Sequence, residues 1–384
     1  MPIMLTSEDV DDAFDDEAFM EERFSDVQRL LLGHDPAPGP ETLVLLPAAR
    51  CRLTVGPHAS GPFGRCFAVR LEPRADLSAA CVELLLADDG SLLGLVDAGA
   101  LDGWRGAIPA GLAARYLAPP APATLGLFGT GEAAWSCLLV LHHALPSLSE
   151  VHVVGREPDR ARDFATAAAL RTGLRVRVSE DVRTTAARAD VVATTSGHPP
   201  VRAAWLAAGA LLIDQTATVA PTVPGDPRNP VTGARAFDTD ADTALRAWPS
   251  GIRPGVWSSG GGPDVGSSRS GQGAQPPGSG PDAGPPGSGP AAPSPDAASV
   301  APDPAVRHVS IAAPVGRSAG TRQAPLPLAE IVAGRALPRR SGSDIVHYQG
   351  GELAGWSVIA AVAGLGHAWR RDVGIPVRLG RGGP

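Results

Sequence analysis

"TLGLFGTGEAAWSC", residues 124–137, decides how this chain folds. An apolar run from Leu125 to Phe128 meets two glycines one residue apart, Gly129 and Gly131, and then small residues that open an apolar, helix-like segment. Strand, glycine turn and helix in that order build a phosphate-binding turn. Gly129 permits the tight turn, Gly131 lets the backbone approach a pyrophosphate, and the helix from about Glu132 presents free N–H groups at its amino end. From Gly126 the pattern reads G-x-x-G-x-G-x-x-A, with Ala134 where a third glycine usually stands. A glycine pair alone also serves ordinary packing turns, so the surrounding rhythm has to carry the reading.

That rhythm is an alternation of strand and helix from 124 to 214. Strands are expected at "LGLFG", "EVHVVGR", "RVRVSE", "ADVVATTS" and "ALLID", and helices at "GEAAWSCLLVLHHAL", "EPDRARDFATAAALRTG", "DVRTTAARA" and "VRAAWLAAG". Such alternation marks βαβ units on a parallel sheet. The glycine turn therefore opens a dinucleotide-binding series. Gly129, Thr130, Gly131, Glu132 and Ala133 form its first contacts, and Thr195 and Ser196, ending "ADVVATTS", join them. The second strand ends at Gly155-Arg156, where an NAD site usually carries an acid for the ribose 2′-hydroxyl. An arginine there, helped by Arg160, suits a 2′-phosphate, so NADP is expected over NAD; the other reading of Arg156 is an ordinary solvated side chain.

Either side of this core the pattern changes. Residues 7–31 place Val10, Phe14 and Ala18, then Met20, Phe24, Val27 and Leu31, at helical steps with carboxylates between them, and Ser7 is a reasonable N-cap. From 42 to 98, short Val- and Leu-rich runs separated by Gly, Pro and Asp predict a mostly antiparallel sheet, with "DDGSL" as a hairpin turn. A helix follows in "WRGAIPAGLAARYLA", where Pro109 should kink it or mark its true start. Residues 258–300 repeat "PPGSGP" and hold almost no large apolar side chain, which predicts a disordered insertion. Beyond it come a helix in "PLPLAEIVAGRALPRR", a strand in "SDIVHYQGG", a long apolar helix in "ELAGWSVIAAVAGLGHAWRRDVG" and a short strand, "IPVRL".

Composition excludes several classes. All 33 basic residues are arginine, which rules out any mechanism needing a lysine side chain: Schiff bases, a P-loop lysine or a lysine acid/base. The four cysteines form no C-x-x-C pair and the nine histidines show no ligand spacing, so neither a metal nor a disulfide scaffold is expected. A net charge of −7 without a basic stripe argues against nucleic acid as a partner. No apolar run reaches the roughly 18 residues of a membrane span, and the acidic start "MPIMLTSEDVDDAFDDEAF" is unlike a targeting signal. The expected location is the cytoplasm.

The order and spacing of "SLLGLVDAGALDGWRGAIPAGLAARYLA" leading into "LGLFGTGEAAW", then "VHVVGREPDRARDFA", "ADVVATTSGHPPVRAAWLAAGA" and "LAEIVAGRALPRRSGSDIVHYQGG", resemble the ornithine cyclodeaminase and mu-crystallin family. The resemblance implies an α/β fold: a Rossmann-type doubly wound parallel sheet inserted in a second α+β domain that dimerises and helps bind substrate. The corresponding boundaries are 1–118, 119–350 with the insertion, and 351–384. It implies a homodimer acting on a small amino or imino acid held against the nicotinamide. By the same resemblance, Arg105 matches the arginine that grips the substrate carboxylate, the alternative being helix-surface packing, and Arg70 stands about where the family has a substrate-contacting lysine.

Other positions depart from the family. Where cyclodeaminases have a catalytic aspartate, this chain aligns Thr218; Asp214, earlier at the strand end, is a substitute or simply a turn aspartate. A later family aspartate reads here as Trp356. Cyclodeamination needs a carboxylate to steer amine and proton, and that group is missing. Reducing an imine, or joining an amine to a keto acid as in opine-type dehydrogenases, needs only a positioned NAD(P)H, a carboxylate anchor and a proton source. The expected function is therefore an imine reductase or amino-acid dehydrogenase in specialised biosynthesis. The alternatives are a non-catalytic dinucleotide-binding protein of the same fold and a cyclodeaminase-type lyase.

Overall fold

The computed structural model describes residues 1–34, 42–46, 51–56, 59–73, 81–195, 201–215, 306–311, 325–350, 353 and 355–378. The chain separates into Met1–Phe237 with Ala301–Pro384, and Asp238–Val300. The second unit, which contains the Gly/Pro-rich insertion, lies outside the described residues, as do Ser196 and Thr218.

Among the described residues the strands form two sheets. The first takes β1 (Ile3–Leu5), β2 (Thr42–Leu46), β3 (Cys51–Val55), β4 (Ala59–Gly61), β5 (Gly64–Pro73), β6 (Val82–Ala87), β7 (Leu92–Asp97) and, from the far end of the chain, β16 (Ile375–Pro376). Their order is β16-β1-β7-β6-β5-β3-β2, with β4 beside β5. All these pairs are antiparallel except β1 on β7. The β6–β7 turn falls at "DDGS" as the sequence predicts, with Gly90 at φ +81°.

The second sheet comprises β8 (Thr124–Phe128), β9 (Glu150–Val154), β10 (Arg175–Val178), β11 (Val191–Thr194), β12 (Leu211–Asp214), β13 (Val306–Ser310), β14 (Leu326–Pro327) and β15 (Ile345–Gln349). It is parallel throughout, in the order β10-β9-β8-β11-β12-β15-β13-β14. The chain winds outward from β8 to β10, then returns across to β11. The reversal leaves a crevice at the carboxyl ends of β8 and β11, where doubly wound sheets take their ligands.

Helices α1 (Ser7–Phe14), α2 (Glu17–Leu31), α3 (Ala98–Leu117), α4 (Glu132–Ala144), α5 (Pro158–Thr172), α6 (Val182–Arg188), α7 (Leu328–Val332) and α8 (Trp356–Arg371) complete the unit. α3 is buried around most of its circumference because α1, α2, α4 and α8 all touch it. It starts at Ala98, where Asp97 Oδ1 accepts from the amides of Gly99 and Ala100 at 2.9 and 3.3 Å. Pro109 therefore lies inside the helix and does not begin it. Trp104, fully buried, stacks on Phe14 at 5.2 Å and donates its indole N–H to Asp11 Oδ1 at 2.8 Å, which ties α1 to α3.

Three local expectations are corrected. The N-cap of α1 is Thr6, whose hydroxyl and Asp9 form a reciprocal capping box, so Ser7 is already helical. The 7–31 segment breaks into two helices because Asp16 caps α2 through the Phe19 amide at 2.9 Å. "VRAAWLAAG" forms only a single 3₁₀ turn, Ala203–Trp205; its alanines, leucine and arginine are good helix formers, but the span is too short to offset helix nucleation and ends at Gly209, φ +81°.

Candidate functional site

The glycine turn sits at the reversal crevice. Gly129 adopts φ +139°, and a Cβ added there would lie 2.0 Å from Thr195 Oγ1. Thr195 is buried at the end of β11, and both its amide and its hydroxyl donate to the Phe128 carbonyl at 3.0 Å. Gly129 N–H in turn reaches Val154 O at 3.0 Å. The carboxyl ends of β8, β9 and β11 are thus pinned together around one glycine. Gly131 differs: its φ of −98° is ordinary, and an added Cβ would meet nothing within 4 Å. It is the N-cap of α4 and makes no side-chain cap, so the first amides of α4, at Glu132 and Ala133, open onto space that a phosphate can enter. The residues present fit a dinucleotide pyrophosphate.

Gly155 has a packing role. A Cβ there would stand 2.8 Å from Thr130 Cγ2 and 3.0 Å from Ala161 Cβ, so the glycine lets the turn and α5 close on β9. Arg156 and Arg160 are both exposed. Arg160 lies 3.8 Å from Glu157 and, with Thr130, Gly131, Glu132 and Trp135, lines a cavity of about 260 Å³ that reaches Asp11. Burial pushes the Asp11 carboxyl up, against the opposing indole hydrogen bond from Trp104.

α3 carries one candidate substrate arginine, Arg105, and its Asp102 holds the other, Arg70, from β5. Its Gly103 packs against α4, where an added Cβ would be 2.6 Å from Ser136 Oγ. Arg105 is nine-tenths buried and already engaged: Nη2 donates to Glu83 Oε2 at 2.5 Å and to Ser357 O at 3.0 Å, and Nη1 to Asp102 Oδ1 at 3.1 Å. Its Nε has no hydrogen-bond partner among the described residues. Arg70 donates to both oxygens of Asp102, at 2.5 Å from Nη1 to Oδ1. Burial raises the Asp102 carboxyl, but the hydrogen bonds and charges of Arg70 and Arg105 outweigh it and hold the group below the ordinary carboxylate range. The four charges balance.

The backbone under Arg105 is unusual. Pro109 has no N–H to give the Arg105 carbonyl four residues earlier. Trp356 Nε1–H, from the first residue of α8, supplies the bond at 2.9 Å. One residue on, Gln215 Nε2 reaches the Gly106 carbonyl at 3.4 Å from the end of β12. These two side chains fix the Arg105 turn between α8 and the crevice. Asp214, also ending β12, accepts from Thr194 Oγ1 at 3.2 Å and lies 3.8 Å from His347 Nε2.

Residues 73–222 match the model of the ornithine cyclodeaminase/mu-crystallin family. That segment carries the β6–β7 hairpin, α3, the glycine turn and the strands through β12. No curated protein sequence matches the chain. Among solved structures, the probable ornithine cyclodeaminase from Bordetella pertussis Tohama I is 20% identical, with a TM-score of 0.60 over 98% of this chain and 100% of that one. The Thermococcus litoralis Δ1-pyrroline-2-carboxylate reductase, solved with NADH and L-proline, is 16% identical with a TM-score of 0.61 over 98% and 100%. The iminosuccinate reductase of Paracoccus denitrificans, solved with NAD+, is 13% identical with a TM-score of 0.59 over 98% and 99%. At these identities the likeness is one of fold.

The Arg105 partner least evident from the sequence is Glu83. It is buried, on the same face of β6 as Leu85, and a charge at an inward position of an otherwise apolar strand is the signal by which sequence could reveal it. Asp102 stands three residues before Arg105, a spacing that pairs side chains on a helix. Gln215, His308 and His347 carry no such local mark. Among the described residues no three His, Cys, Asp or Glu side chains meet in a way that could hold a metal ion, and no helix is long and apolar enough to cross a membrane.

Proposed function

We propose that this chain is a nicotinamide-dinucleotide-dependent reductase of a small imino acid, or an amino-acid dehydrogenase of the opine type. The observation that carries it is the pairing, in one compact unit, of an open α4 amino terminus at the sheet reversal with Arg105 on α3, the helix packed against α4, joined through Asp102 to Arg70 of β5. The solved reductases with NADH or NAD+ that share the fold support the same reading. NADP is proposed over NAD because the exposed Arg156 lies just past the carboxyl end of β9, where a ribose 2′-phosphate would lie, with Arg160 beside the turn. The same proposal includes the 1–118, 119–350 and 351–384 division and a homodimer; exposed Met1, Val373 and Ile375 at the β1–β16 edge are apolar surface that a second copy would cover.

In this reading the bound nicotinamide supplies a hydride to the substrate's C=N carbon. The chain orients the dinucleotide through the Gly131, Glu132 and Ala133 amides and the substrate through the arginine cluster. Arg105 meets a carboxylate only at its spare Nε side or by exchanging Asp102, since Glu83 and Ser357 occupy Nη2. This saturation favours the second reading, a dinucleotide-binding protein without catalysis. Assays of NADPH oxidation with cyclic imino acids, and with keto acid plus amine, separate the two. Turnover with any of these that falls at least tenfold in Asp102→Asn or Arg70→Gln supports the reductase, and tight NADPH binding without turnover supports the second reading.

A further inference from the structure

β12, β15 and β13 lie side by side in register, with His347 opposite both Leu212 and His308. Asp214, two residues beyond Leu212, shares their face by strand alternation. His308 Nδ1 stands 3.1 Å from His347 Nδ1, and His347 Nε2 stands 3.8 Å from Asp214 Oδ2. That Nε2 is buried and has no hydrogen-bond partner among the described residues. Three titratable groups thus run in a line across three strands, from the body of the sheet to its crevice end.

The protonation states of the line are coupled. Two nitrogens 3.1 Å apart cannot both carry a proton, so one ring donates and the other accepts. If His347 donated, its bare Nε2 lone pair would face the Asp214 carboxylate. If His308 donates, His347 carries its proton on Nε2, toward Asp214, and every facing pair is an acceptor meeting a donor. Burial pushes His308 below the ordinary imidazole range, and the neighbouring His347 charge lowers it further. Among the described residues, the charged or titratable groups facing the pair are each other and Asp214; β11 contributes the neutral Thr194.

We propose that Asp214, His347 and His308 form a proton relay, with Asp214 exchanging the proton with the substrate and the two histidines positioning and replenishing it. The proposal rests on the reductase reading. Reduction of C=N to an amine takes a hydride from the reduced dinucleotide onto carbon and one proton onto nitrogen. Asp214 begins as a carboxylate: it takes the His347 Nε2 proton as His347 Nδ1 takes the His308 Nδ1 proton and His308 Nε2 takes one from solvent. The new Asp214 O–H bond then breaks as the substrate N–H bond forms, which returns the carboxylate, and both rings regain their starting tautomers by proton exchange with solvent before the next turnover. The chain has no lysine, so the proton must come from such a group, a hydroxyl or water.

The first test reads the relay without turnover. In the full chain labelled with ¹⁵N-histidine, with resonances assigned by His308→Gln and His347→Gln, the ring nitrogens are expected to show the proton on Nδ1 of His308 and on Nε2 of His347, joined by a coupling across the Nδ1–H···Nδ1 hydrogen bond. Asp214→Asn should change the His347 ring signals and, through them, those of His308. The opposite proton placement, or His347 signals unmoved by Asp214→Asn, would overturn the relay whatever the enzyme does. The second test is the pH profile of imine reduction. His308→Gln should lower kcat about tenfold and shift the profile, with KM for the dinucleotide unchanged, and Asp214→Glu should restore part of the activity that Asp214→Asn loses. An unchanged profile in His308→Gln with active enzyme would overturn the relay and leave the reductase standing. If the wild-type chain binds NADPH and reduces nothing, the reductase reading fails, and with it Asp214's role toward substrate, while the ring-nitrogen signals still decide whether the three groups are coupled.

Discussion

Trp356 replaces a helical donor that Pro109 removes, and the substitution can be followed quantitatively. Trp356→Phe keeps a ring in the buried position at the start of α8 but deletes the N–H that meets the Arg105 carbonyl at 2.9 Å. A buried acceptor left unsatisfied costs about 1–3 kcal/mol. The smaller ring adds roughly 1 kcal/mol of lost burial. In a Pro109→Ala background the new alanine's amide can take up the i→i−4 bond to the same carbonyl, so only the packing loss remains. The two substitutions should therefore couple by about 1–2 kcal/mol in a double-mutant cycle. Urea unfolding of the four proteins, compared at equal m, measures this. If Trp356→Phe costs the same in both backgrounds to within about 0.5 kcal/mol, the indole does not substitute for the missing amide and the account of the Arg105 turn is wrong.

Other residues give independent checks. Arg105→Met strands the Glu83 carboxylate, 2% exposed, as a buried unpaired charge; a loss of about 3–5 kcal/mol in thermal or urea unfolding is expected. Adding Glu83→Met should recover most of it, and a double variant no better than the single one would contradict the pairing. Glu21 receives two hydrogen bonds from Arg115 and one from His143, and the Arg115 hydrogen bond leads in pulling its carboxyl down to about 2. A lowered carboxylate stabilises the fold above its unfolded value near 4.5 and loses that contribution as pH falls toward 2. Glu21→Gln should thus be destabilised at pH 7, by no more than about 1 kcal/mol because the group is half-exposed, and the gap should close as melts are taken from pH 6 down to 3. A gap that widens in acid reverses the sign of the argument. Gly131→Val should unfold within about 1 kcal/mol of wild type, since open space surrounds the new side chain, yet lose most dinucleotide affinity in a fluorescence titration. Unchanged affinity would mean the ligand does not approach that amide.

Much of the fold was legible because period and punctuation agree. The βαβ series needed only the alternation of apolar runs with helical spacing, and Gly129 announced itself by the turn it makes. Short elements were harder. β1, β13 and β14 span two to five residues and gain their pairing from distant chain, so nothing local distinguishes them. Pro109 misleads for a related reason: its cost is met by Trp356 and Gln215, far away in sequence. Arg105 and Arg70 do come together on Asp102, but the partner that changes their chemistry, Glu83, shows itself only as a charge at an inward strand position. The Asp214, His347 and His308 line depends on strand order and register, which the spacing of single residues does not encode.

The central claim is that the Gly129–Gly131 turn holds a nicotinamide dinucleotide. Calorimetric titration of the full chain with NADPH and with NADH tests it most directly. Saturable one-to-one binding is expected, tighter for NADPH, with Gly131→Val weakening it at least tenfold and Arg156→Ala bringing NADPH level with NADH. No heat of binding from either nucleotide at millimolar concentration, with the chain folded, would contradict it.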